Sequence, residues 1–151
     1  MKLNDLLDSQ LIFTELESLE KEEFLTKFIS KISEVRSSIK KTIVTDLILK
    51  REKLCSTALD NFIAIPHAKV PGIDKTYISL GISNNGIDFG SIDGLKTKIL
   101  ILILHPEETG NSHLEILKSV SNLFTKENLI NQILGMKDPG DIINFIKANE
   151  K

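Results

Sequence analysis

Lys98-Ile99-Leu100-Ile101-Leu102-Ile103-Leu104-His105-Pro106 carries the decision about the fold. Six consecutive apolar residues, β-branched at every second position, lie between a lysine and a proline-terminated polar step. A bilayer-crossing helix needs about 20 apolar residues, and a half-exposed strand would alternate with polar ones. What remains is a short strand covered on both faces, the kind found where helices flank a sheet. Outward from it, Phe62-Ile63-Ala64-Ile65 reads as a strand that stops at Pro66. Tyr77 to Ile82 alternates as a strand until Asn84-Asn85-Gly86 turns the chain, and a further short strand is expected around Leu11 to Thr14.

Helices are expected before and after these strands. Phe24, Leu25, Phe28, Ile29, Ile32 and Val35 share one helical face, with Ser18 as N-cap and Glu20, Glu22 and Glu23 in the first turn, where the helix dipole favours negative charge. A second helix runs from about Thr42 to Leu54, with Ile43, Val44, Leu47 and Ile48 inward. Ser112 and Glu115 have capping-box spacing ahead of Leu117, Val120, Leu123 and Phe124. Gly135 closes a helix through Leu129, Ile130, Ile133 and Leu134, and Asp138-Pro139 opens a last one. The order helix-rich, strand-rich, helix-rich implies an α/β chain with a central sheet covered on both sides.

The 151 residues, 41% hydrophobic and 26% charged, suit one globular domain spanning 1–151. A formal charge of −2 is opposite to the footprint of a nucleic-acid binder. One cysteine, Cys55, rules out an internal disulfide framework. Carboxylates interrupt the N-terminal apolar residues, so no signal region or membrane insertion is expected and the chain is read as cytoplasmic.

Three histidines occur, each at a junction of an expected element with a loop. His67 follows Ile-Ala-Ile-Pro, where Pro66 fixes its own φ and holds Ile65 extended; the imidazole then leaves the sheet end in a defined direction. A ring so held is either a nucleophile or acid/base group, or a structural histidine at a sheet edge. His113, in a helix first turn, lies where free N–H groups attract anions and an imidazolium is disfavoured, so a neutral ring donating one hydrogen bond is expected. His105 reads as a loop residue that could line the same rim. Arg51 and Arg36 are the two arginines against 17 lysines; Arg51 is a candidate anion clamp or a solvated helix end. The histidines and Cys55 lack zinc-ligand spacing, and Gly86-Ile-Asp-Phe-Gly90 lacks the spacing and lysine of a phosphate-binding loop.

Arg51-Glu52, Ser56-Thr57, Ile63-Ala64-Ile65-Pro66-His67, Ile87-Asp88-Phe89-Gly90, Asp93-Gly94 and His113-Leu114 together resemble the type-2 EIIA domain of the sugar phosphotransferase system (PTS), the fructose/mannitol/nitrogen-regulatory branch. The resemblance runs over nearly the whole chain. It implies a three-layer α/β/α sandwich on a mixed sheet, and it carries the phosphorylated histidine to His67, reacting through Nε2. It carries the second active-site histidine to His113 as hydrogen-bond partner of the phosphoryl group and the active-site arginine to Arg51 for charge balance; Ser56 or Thr57 is expected to orient the group. Ala58, Asp60 and Phe62 stand where the family usually has glycines, which implies a stiffer or reshaped approach to His67.

The function so implied is phosphoryl relay without metal or cofactor: acceptance from an HPr-type phosphocarrier protein, then transfer to an acceptor or use as a regulatory switch on a target protein such as a kinase or transporter. The alternative is a sugar-permease IIA subunit feeding a separate IIB domain; the lack of IIB or IIC segments in this chain tilts the expectation towards regulation. A remote alternative is a metal-dependent hydrolase built on the three histidines.

Overall fold

The structure, a computed structural model, describes residues 3–18, 20–108, 110–126 and 128–150. The decisive stretch is the middle of β5 (Thr97–Pro106), and its six apolar side chains are all within 1% of full burial. Each contributes roughly 2 kcal/mol by leaving water. On one flank β4 (Tyr77–Ile87) runs antiparallel, Ile78 opposite Ile103 and Ile82 opposite Ile99, and β1 (Ile12–Phe13) lies parallel beyond it. On the other flank lie β2 (Ile63–Ala64) and β3 (His67–Val70), both parallel to β5. Strand order is β1-β4-β5-β2, with β3 continuing along the β2 side.

Alternate residues of β5 feed two cores. Ile99, Ile101 and Ile103 pack with α3 (Ser112–Phe124), α4 (Leu129–Leu134) and α5 (Pro139–Asn149); Leu100, Leu102 and Leu104 pack with α1 (Lys21–Val35) and α2 (Lys41–Leu54). The result is the expected three-layer α/β/α sandwich on a mixed sheet.

Several local expectations are corrected. The strand does not stop at Pro66: it resumes at His67 in unbroken register, Ile63 facing Ile99 and His67 facing Ile103. Pro66 has no N–H, yet its carbonyl accepts from Ile103 N–H at 2.9 Å, and Ile65 N–H donates outward to Thr57 at 3.1 Å. A proline whose missing donor faces away from the ladder interrupts nothing essential. Asn84-Asn85-Gly86 is not the turn but a bulge within β4, and the chain reverses across 88–96. Gly86 there has φ +81°, and a Cβ on it would come within 2.7 Å of Lys96 Cβ.

Caps shift as well. α1 has Glu20, not Ser18, as N-cap; α3 has Asn111, one residue before the expected Ser112, without a side-chain capping bond. Gly135 does close α4, but in right-handed geometry. Ile43 is 49% exposed because the buried seam of α2 runs Val44, Ile48, Glu52 at intervals of four and leaves Ile43 a hundred degrees away, and Val35, the last residue of α1, lies on a margin.

Candidate active site

The register places the histidines. Residues opposite one another in a ladder share a face, so His67 opposite Ile103 points to the side that carries Ile103 and, two residues on, His105. That is the side covered by α3, whose first turn holds His113. The three imidazoles line one open hollow of about 350 Å³ at the β3 edge. Arg51 and Leu47 border it from α2, Lys69 from β3, and Leu114 and Leu117 from α3.

His67 is half-buried, and its Nδ1 lies 2.9 Å from the Ile65 carbonyl oxygen. A carbonyl can only accept, so Nδ1 carries the proton and the neutral ring keeps its lone pair on Nε2. The same logic applies to His113. Its Nδ1 lies 3.0 Å from the Gly110 carbonyl, so the proton of the neutral ring is committed there. A neutral His113 therefore offers a lone pair at Nε2, and donation from that atom takes an imidazolium.

His105 is not a loop residue. It is the ninth residue of β5, 1% exposed, and continues the parity of Ile99, Ile101 and Ile103; that parity was the available signal in the sequence. Its ring meets His113 edge to face at 5.6 Å between centroids. Nδ1 lies 3.5 Å from Thr76 Oγ1, and Nε2 is buried with no hydrogen-bond partner. Burial above all, then the charges of His113, His67 and Lys69, push its pKa from 6.5 down to about 4, so the ring is neutral at pH 7.

Arg51 sits in the last turn of α2 and donates from Nη1 to the Cys55 carbonyl at 2.9 Å, closing that helix end while facing the hollow. Ser56 and Thr57 do not line the hollow. Ser56 Oγ donates to the Phe89 carbonyl and accepts from Ala58 N–H at 3.1 Å. Thr57 gives both its N–H and its hydroxyl to the buried Glu52 carboxylate, which also pairs with Lys21 at 3.0 Å. These bonds fix the segment that flanks β2, where Ala58 bridges Ala64 and Leu59 N–H donates to Ile63 at 2.8 Å.

Of the residues replacing glycines, Asp60 is exposed and Phe62 packs its ring against the core on the α3–α5 side, with Lys98 Nζ 5.1 Å from the ring centre. Phe62 and Asn61 take left-handed φ values of 71° and 65°. Among the described residues no group of three or more His, Cys, Asp or Glu could hold a metal ion, so the histidine-based metal centre of the hydrolase alternative is not formed. No helix among them is long and apolar enough to cross a membrane.

The family model described as "Phosphoenolpyruvate-dependent sugar phosphotransferase system, EIIA 2" matches residues 5–149. The chain belongs to this family. This EIIA domain is 31% identical over 151 residues to the PTS system fructose-specific EIIABC component of Bacillus subtilis, covering all of this chain and 24% of that protein. It is 28% identical over 146 residues to a nitrogen regulatory protein of Bradyrhizobium diazoefficiens, covering 97% of this chain and 95% of the relative. In fold, the domain superposes on nitrogen regulatory protein IIA-Ntr from Neisseria meningitidis with a TM-score of 0.87 at 21% identity, over 95% of this chain and 98% of that one. A complex of enzyme IIAMTL with phosphorylated enzyme IIBMTL from Escherichia coli matches with a TM-score of 0.76 at 19% identity, over 94% and 97%. EIIA domains are phosphotransfer proteins, and in this hollow three imidazoles meet Arg51 and Lys69.

Proposed function

We propose that residues 1–151 act as one EIIA domain in the cytoplasm, relaying a phosphoryl group through His67 and passing it on or holding it as a regulatory switch. The observation that carries this reading is the 2.9 Å contact of His67 Nδ1 with the Ile65 carbonyl, which leaves Nε2 as the nucleophile. Nε2 attacks, in line, the phosphorus of a phosphohistidine on an HPr-type carrier. The new P–N bond forms as the carrier's P–N bond breaks, and the departing imidazole keeps that electron pair.

The protein's remaining work is positioning and charge neutralisation. Arg51, fixed by its bond to Cys55, faces the incoming negative charge. His113, across the same hollow and held at Nδ1 by Gly110, is the hydrogen-bond partner of the phosphoryl group. Ser56 and Thr57 act on this site through the segment they brace. The acceptor is a regulated protein or, as the similarity to a fructose-specific component favours, a IIB domain.

The test is incubation with phosphoenolpyruvate, enzyme I and the carrier, read by intact mass and acid lability. One acid-labile phosphoryl group is expected on the wild type and none on His67→Ala. Persistence of the group in that variant overturns the assignment. His113→Ala is expected to accept the group but pass it on slowly, and normal onward transfer would remove His113 from the mechanism.

A further inference from the structure

Three imidazoles face the hollow, and the relay above uses two. His105 is fully inside the fold, yet its Nε2 has no partner while its Nδ1 lies 3.5 Å from the Thr76 hydroxyl. Buried polar atoms are nearly always paired, so an orphan in the wall of a reaction site points to a partner that arrives with the substrate. A Thr76 hydroxyl donating to Nδ1 leaves the single ring proton on Nε2. Nε2–H is then a neutral donor, the one thing the other two rings lack, since His67 and His113 both give their Nδ1 protons to backbone carbonyls.

We propose that His105 is a third imidazole of the phosphoryl site, whose Nε2–H donates a hydrogen bond to the phosphoryl group when His67 carries it. This rests on the relay reading of His67. The His113 ring lies edge to face against His105, and the proposal requires that ring to turn so that a phosphoryl oxygen reaches Nε2. A donor that is neutral from the outset serves the group without waiting for a proton. No bond to His105 forms or breaks; the ring holds its proton throughout.

The experiment compares the full-length wild type with His105→Leu and His105→Gln, each loaded through enzyme I and the carrier. Hydrogen bonds to charged groups of this kind change rates by about 10- to 100-fold when removed. His105→Leu, which fills the same space without a donor, is expected to load or transfer more slowly by that factor; His105→Gln, which keeps a donor, is expected to recover most of it. Circular dichroism and the urea midpoint establish that both variants fold. In the wild type with 15N-labelled histidine, the His105 Nε2 resonance is expected to move on phosphorylation and its proton to show a scalar coupling to phosphorus across the hydrogen bond, which proximity alone does not give and which needs no variant. Wild-type rates in His105→Leu, or an unmoved His105 resonance in loaded protein, overturn this inference alone. Failure of the wild type to load on His67 overturns the relay reading and this inference with it.

Discussion

Replacing His105 by leucine tests the burial of that ring through acid stability. In the folded chain its pKa lies at about 4, against an ordinary 6.5, because the ring is desolvated and faces His113, His67 and Lys69. The folded state thus resists a proton that the unfolded state accepts. The contribution is absent well above pH 6.5, grows as a destabilisation while pH falls from 6.5 towards 4, and levels off below 4. The full separation corresponds to about 3 kcal/mol, of which about 0.2 kcal/mol is felt at pH 7 and about 2 kcal/mol at pH 5. Leucine has no proton to gain. Urea unfolding of wild type and His105→Leu at pH 7, 6 and 5 isolates the effect, since the other carboxylates and histidines are common to both proteins. The stability difference is expected to move by about 2 kcal/mol in favour of leucine between pH 7 and pH 5. A difference that stays constant over that range would refute the burial argument and the neutral ring with it.

Phe62→Gly and Phe62→Ala both remove the ring, but only glycine accepts φ 71° without strain. The glycine variant is expected to be more stable than the alanine variant by about 1 kcal/mol, the reverse of the usual order in regular structure, and equal urea midpoints would show the conformation is not enforced. Gly81→Ala places a Cβ 2.9 Å from Phe28 Cε2, and Phe28 is fully buried between the rings of Phe13 and Phe24. A loss of about 1–3 kcal/mol is expected, read as a lower urea midpoint at unchanged slope, and an unchanged midpoint would mean that Phe28 yields freely.

The layers were legible because periodicity records which side of an element is buried. The six-residue apolar run could only be a doubly covered strand, and the stripe from Phe24 to Ile32 could only be a helix face. What stayed hidden depended on partners distant in sequence. Nothing local to Pro66 announces that β5 will accept its carbonyl and carry the strand on to His67. Nothing in Asn84-Asn85-Gly86 distinguishes a bulge from a turn until the register of β5 is known. The resemblance carried His67, His113 and Arg51 to one place, and the structure brings all three to the same hollow. It carried no role for His105, whose standing depends on the face it shares with Ile103 and on the ring of His113 above it. Ser56 and Thr57 were legible as a pair, but their bonds to Phe89 and Glu52 turn them away from the hollow because the carboxylate that claims Thr57 is itself fixed by Lys21.

The interrupted strand at Pro66 has a consequence for access. Among the described residues β2 and β3 end the strand order on their side, and the segment around Ala58 runs along β2 through its bridge to Ala64. His67 is held in the ladder by its neighbour's carbonyl bond to β5, yet it stands at the rim of the molecule, beside the half-exposed Leu114. On the relay reading proposed above, a carrier protein meets His67 at this rim. If encounter with that carrier limits the relay, turnover is expected to slow with added viscosogen and to respond to ionic strength, and a rate indifferent to both would place the limit elsewhere.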